Sequence, residues 1–180
     1  MNLDWSILHG IQQWMTCPFL DFLMPKITAL GNAGAIWILA AGGLMCTKKY
    51  RKQGIYLLIA LMAGELLGNI VMKRLIARPR PCTLDQSVQL LIARPLDYSL
   101  PSGHTVASAV GATILTKTNR RFGYAAIPLA VLIAFSRLYL YVHFPSDVLA
   151  GAVVGVLIGA AVYRCGERWH GRLERKQPSA

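Results

Sequence analysis

The sequence predicts an all-α integral membrane protein: a bundle of about five transmembrane helices with an N-terminal amphipathic helix lying in the interface. Three observations predict it. Of 180 residues, 54% are apolar and 15% charged, with a mean hydropathy of +0.44, whereas soluble domains carry about 25% charged residues. Two runs, Ile27–Cys46 without a formal charge and Gly54–Met72 charged only at Glu65, each meet the roughly 18-residue requirement for crossing the hydrocarbon core. The charge that remains is lopsided, 19 Lys and Arg against 8 Asp and Glu. Together these exclude a disordered chain, a fibrous repeat and a disulfide-stapled secreted module. Residues 1–180 read as a single membrane-embedded domain.

The elements follow in chain order. Residues 1–15 hold no Lys or Arg, and Asp4 stands where the basic region of a signal peptide belongs. Leu3, Ile7, Leu8, Ile11, Trp14 and Met15 recur instead at helical spacing, so this segment is expected to lie along the membrane surface and to end at Pro18. After the two clear runs come about 100–116, about 122–142 with Arg137 inside it, and 147–163. These three are rich in Gly, Ala, Ser and Val, as suits closely packed spans. The tail 172–180 is expected to fray.

Five spans put residues 47–53, 117–121 and the tail beyond Tyr163 on one side, with twelve of the 19 Lys and Arg. The positive-inside rule makes that side cytoplasmic. The N-terminus, the 73–101 loop and the 136–147 junction are then expected to face outward, as in a bacterial-type cytoplasmic membrane. The basic tail reads as a lipid-hugging helix end, because it lacks the stacking aromatics and zinc spacing of nucleic-acid binders. Cys17, Cys46, Cys82 and Cys165 form no CxxC pair, and about 65 residues of separation give a Cys17–Cys82 bridge no geometric support.

Three outward junctions concentrate polar residues: Lys73 to Arg80-Pro81, Pro101-Ser102-Gly103-His104, and Ser136-Arg137 to His143 and Asp147. Physically this is a phosphate site. Lys73 supplies a point charge and Arg80 a planar fork. Arg137 lies inside an apolar span, where an unpaired guanidinium costs several kcal/mol. A helix opening at Ser102 and Gly103 offers free N–H groups and a hydroxyl to an anion. The two histidines provide a nucleophile and a proton donor, and Asp147 could orient one imidazole. Each element alone has a plainer reading: Pro-Ser-Gly is an ordinary capped helix start, Arg74, Arg78 and Arg94 suit lipid head groups, and Glu65 suits a local partner as well as it suits a relay. The conjunction at fixed spacing is what points to chemistry.

That conjunction resembles the type-2 phosphatidic acid phosphatase family, membrane lipid phosphatases related in site design to vanadium haloperoxidases. Its motifs K-x6-R-P, P-S-G-H and S-R-x5-H-x3-D match without a gap across 73–147. The resemblance implies metal-independent phosphoryl transfer through a phosphohistidine, with no cofactor and no metal. It implies His143 as nucleophile, Asp147 as its orienter and His104 as the acid, with Lys73, Arg80, Ser102, Gly103 and Arg137 holding the phosphoryl oxygens. Larger bacterial members have six spans, which leaves the N-terminal arrangement open. The expected partners are a lipid phosphate or diphosphate substrate and membrane lipids, with no nucleic acid and no obligatory protein partner. Polyprenyl (undecaprenyl) diphosphate is the favoured substrate; phosphatidylglycerophosphate, phosphatidate and diacylglycerol pyrophosphate are alternatives. A lipid phosphotransferase and a vanadate-dependent haloperoxidase are the competing activities, and a non-enzymatic scaffold ranks last.

Overall fold

The computed structural model describes residues 3–176, with side chains through residue 172. The expected frayed tail, 172–180, instead continues as helix through Lys176, and residues 177–180 lie outside the described residues. The described residues form helices and connecting loops: α1 (Leu3–Trp14), α2 (Pro18–Leu30), α3 (Ala35–Met45), α4 (Arg51–Gly64), α5 (Lys73–Ile76), α6 (Pro81–Leu84), α7 (Gly103–Thr118), α8 (Arg120–Tyr139) and α9 (Pro145–Lys176). A π-helical stretch, Glu65–Met72, joins α4 to α5.

Three helical stretches are long and apolar enough to cross a membrane: Arg51–Leu84, Arg120–Tyr139 and Pro145–Arg172. A fourth would be α2 and α3 together, bent by 48°. The sequence places its first span at Ile27–Cys46, but the structure starts a helix at Pro18 and breaks it at Asn32–Gly34. Ala33 and Gly34 there take left-handed φ values of 49° and 70°, which a continuous helix cannot contain. The third expected span, α7, has 16 residues and is the central helix, packed by α4, α8 and α9. By length and composition, the described residues thus yield three to four candidate spans.

Lipid is as apolar as leucine, so close packing holds such helices together better than hydrophobic burial does. On α9, Gly151, Gly155 and Gly159 press against α7. A Cβ at Gly155 would lie 2.4 Å from the carbonyl oxygen of Val106. Trp37 of α3 lies flat on Gly111 and donates its indole N–H to Ser108 Oγ at 3.2 Å. Large side chains such as Leu39, Met62 and Leu157 point outward instead.

The N-terminal helix forms as expected, but its six apolar residues do not act as one stripe. Leu8 and Ile11 are buried in a cluster with Tyr139–Val142 and Phe144, while Leu3 and Trp14 are exposed. Trp5 packs edge-on against Phe144, with ring centroids 5.0 Å apart. This helix grips the junction between α8 and α9.

Candidate active site

Four chain directions meet at one end of the bundle. The π-helical stretch delivers Lys73, α7 begins at Gly103, α8 ends just after Arg137, and α9 begins at Pro145. A polar cleft of about 750 Å³ opens there, lined by Lys73, Arg80, Gly103, His104, Arg137 and His143 among others. Six of the eight sequence-predicted site residues share this wall. Asp147 and Ser102 are fully buried behind it. The Ser102 hydroxyl, expected to face an anion, accepts a hydrogen bond from Thr105 Oγ1 at 3.0 Å.

His143 is 1% exposed, and its two nitrogens meet different partners. Arg80 Nη1 lies 3.0 Å from Nε2 and 2.7 Å from the Val142 carbonyl. A guanidinium only donates, so Nε2 accepts and Nδ1 carries the hydrogen. On that side Ser99 Oγ lies 3.4 Å away, and Asp147 Oδ2 is 3.6 Å away, beyond a direct hydrogen bond. Ser99 donates onward to Asp147 Oδ2. Burial, together with the charges of Arg80 and Arg137, pushes the His143 imidazole down to about 3 against the opposing pull of Asp147. A neutral imidazole follows, its Nε2 lone pair unprotonated and hydrogen-bonded to Arg80.

The cations have resident partners that the motifs do not include. Lys73 Nζ donates to Asp97 Oδ2. Arg80 donates to Asp97 Oδ1 at 2.7 Å and to the Asp97 carbonyl at 2.8 Å. Burial opposes ionisation of Asp97, but these two cations outweigh it and hold its carboxyl down to about 2. Arg137 is 4% exposed and donates to Thr28 Oγ1, while its buried Nε has no hydrogen-bond partner among the described residues. A cleft wall with surplus cationic donors fits an anion of several oxygens.

His104 faces the cleft from the first turn of α7, with Nε2 3.0 Å from Asn32 Oδ1. Gly103 lies against Asn69: a Cβ there would come within 2.4 Å of its side-chain oxygen. Asn69 in turn donates to Glu65 at 2.5 Å, the local pairing rather than the relay of the two readings open for that carboxylate. Arg78 corrects the lipid-head-group reading, because its guanidinium is bound to Asp147, Asp4 and Ser146. Arg74 and Arg94 are exposed, Arg94 on the cleft rim. Asp97, Ser99, Asn32, Asn69 and Thr28 escaped the sequence reading. Among the described residues, no three His, Cys, Asp or Glu side chains are grouped to hold a metal ion.

Comparison with known proteins finds the PAP2 superfamily profile matching residues 53–170. An undecaprenyl-diphosphatase of Sulfolobus acidocaldarius is 38% identical over 76% of this chain and 66% of its own length. Undecaprenyl-diphosphatase BcrC of Bacillus subtilis is 31% identical over 91% of this chain and 83% of its own. Among solved structures, LpxE of Aquifex aeolicus superposes with a TM-score of 0.80 at 29% identity, covering 91% of this chain and 96% of that one. A PAP2-type phosphatidylglycerolphosphate phosphatase of Bacillus subtilis does so at 0.73 and 28%, covering 93% and 88%.

Proposed function

The chain belongs to the PAP2 superfamily, and from that premise we propose that it hydrolyses a polyprenyl diphosphate at the outer face of a cytoplasmic membrane, through a phosphohistidine. It is a multi-pass membrane protein and a lipid phosphatase of this family. The observation that carries the finer reading is the convergence of Lys73, Arg80, Arg137, His104 and His143 on one cleft, supported by relatives named as undecaprenyl-diphosphatases.

The chemistry runs as two displacements. The Nε2 lone pair of His143 bonds to the terminal phosphorus while the bond from phosphorus to the lipid-side oxygen breaks. His104 gives that oxygen a proton. Lys73, Arg80, Arg137 and the N–H groups at Gly103 hold the phosphoryl oxygens as charge redistributes. Ser102 supports this turn from behind, and Asp147 stabilises the imidazole through Nδ1. Water then attacks the phosphohistidine and yields its proton to His104, the P–N bond breaks, and inorganic phosphate leaves with both histidines restored. The cations occupy the role a metal would otherwise play, so activity should survive EDTA, and orthovanadate should inhibit.

Two measurements test the finer claims. Phosphate release from purified undecaprenyl diphosphate, phosphatidylglycerophosphate, phosphatidate and diacylglycerol pyrophosphate should give the highest kcat/KM on the first. A higher value on a glycerolipid would move the substrate. In a variant free of native cysteines, a membrane-impermeant thiol label should reach Thr83→Cys but not Lys49→Cys in intact cells. The reverse pattern would turn the cleft toward the cytoplasm.

A further inference from the structure

Behind His143, Asp147 is 0% exposed. A carboxylate so placed needs a cation or several donors. Its Oδ2 accepts from the Phe144 N–H at 2.8 Å and from Ser99. Its Oδ1 accepts from Arg78 Nη1 at 2.6 Å. Among the described residues, Arg78 is the one permanent cation paired with this carboxylate. The same guanidinium lies 4.2 Å over the Phe144 ring, donates to Ser146 Oγ at 2.7 Å, and reaches Asp4 Oδ2 at 2.7 Å through Nη2. Asp4 in turn accepts from the Ser146 N–H at 3.0 Å and its hydroxyl at 2.6 Å. The first turn of α1 is thereby pinned to the first turn of α9, through an arginine that is three-quarters buried.

We propose that Arg78 is a positioning residue of the reaction, whose charge neutralises Asp147 and so keeps the proton off the attacking nitrogen of His143, with Asp4 of α1 fixing Arg78 in place. This rests on the reading of His143 as the nucleophile. The physical argument concerns where a proton settles. A buried Asp147 with no cation would draw one onto the neighbouring imidazole, and an imidazolium has no lone pair for phosphorus. Arg78 supplies the counter-charge from the far side and leaves the imidazole neutral. The charged and titratable groups facing His143 are Arg80 from the loop before α6, Arg137 from α8, His104 from α7, Lys73 from α5 and Asp147 from α9. Of these groups, Asp147 is the one that favours the protonated ring.

The sign is definite. His143 acts only when neutral, so activity is lost as pH falls through its pKa. Removing Arg78 raises that pKa, and the acid limb of kcat/KM should move upward, by about one unit or more. In Arg78→Gln, the loss of kcat should deepen as pH falls through the raised pKa, toward about tenfold per unit of limb shift, with KM changed little, and should shrink as pH rises. Arg78→Lys keeps a cation but not the fork, so its acid limb should stay near the parent's while kcat falls. Asp4→Asn leaves the charge on Arg78 and should lose only a few-fold in kcat, its limb unmoved.

The same loss at every pH in Arg78→Gln, or an upward limb shift in Arg78→Lys equal to that of Arg78→Gln, would overturn the proposal. Alkaline-quench trapping of an acid-labile phosphoenzyme in the parent chain separates the two levels. If none forms, the nucleophile reading fails. If it forms and the limb does not move, only the role of Arg78 fails.

Discussion

The two nitrogens of His143 look onto two unlike halves of the site. On the Nε2 side, Arg80 and Lys73 are buried, but their counter-ion Asp97 is 54% exposed. On the Nδ1 side, Asp147 is 0% exposed and Asp4 13%. Exposed pairs contribute about 0–1 kcal/mol, whereas stranding one member of a buried pair costs about 3–5 kcal/mol. A counter-ion at the solvent edge can therefore be exchanged for a substrate phosphate, and the buried one must stay. The front of the imidazole is built for turnover and the back for permanence.

The largest expected effect breaks the comparison at its centre. His143→Ala should abolish turnover on every substrate, because no covalent intermediate can form. His104→Ala should cost on the order of 10²–10⁴ on a phosphate monoester, whose alkoxide leaves badly without a proton. It should cost distinctly less on a diphosphate, because a departing phosphate has a second pKa near 6 and leaves more readily. Both variants need assay on both substrate types in the folded, detergent-stable state. Equal losses for His104→Ala across leaving groups, or a graded loss for His143→Ala, would reverse the two roles.

A smaller effect comes from beneath His104. A Cβ at Gly31 would meet His104 Cδ2 at 2.8 Å and Ile133 Cγ2 at 2.9 Å. Ile133 is fully buried and held, so the imidazole is the side that yields. Gly31→Ala should cost roughly 10- to 10²-fold on a monoester, as expected for a misplacement of about 1 Å. The loss should fade on a diphosphate, as for His104→Ala. A loss blind to the leaving group would mean that the break between α2 and α3 serves folding rather than the acid.

These tests separate what was legible in the sequence from what was not. Lys73, Arg80, His104, Arg137 and His143 were legible because ionisable residues beside apolar spans are costly and stand at fixed short spacings. Asp97 was not: it lies in a loop without periodicity, and the neighbours that give it meaning are 17 and 24 positions away in sequence. Arg78 looked like a surface cation because its partner Asp4 is 74 positions distant. The helical run through Glu65–Met72 was recognised as apolar, but a change to π winding leaves composition untouched and so could not be read. The first span was misplaced for a related reason. Residues around Asn32–Gly34 keep an apolar average, while backbone geometry at Ala33 and Gly34 breaks the helix.

The smallest expected effect sharpens the comparison from the exchangeable side. Asp97 holds both front cations while no substrate phosphate does, so binding must displace it. Asp97→Asn removes that competition. KM for the lipid substrate should fall several-fold, and inorganic phosphate should become a tighter competitive inhibitor, with kcat kept within about threefold. The carboxyl is held down to about 2 by Lys73 and Arg80 against its own partial burial. It is therefore ionised throughout the working range, and the ratio of parent to variant KM should not change between pH 5 and pH 8. A depressed carboxylate lends stability above its unfolded pKa of about 3.9 and loses it as pH falls toward 2. The parent should accordingly lose more of its Tm than the variant over that acid window, by a small margin for so exposed a group. A fall in kcat with KM unchanged would show that Asp97 aligns the cations for the transition state. The front of the imidazole would then be as fixed as the back, and the contrast between the two halves would be lost.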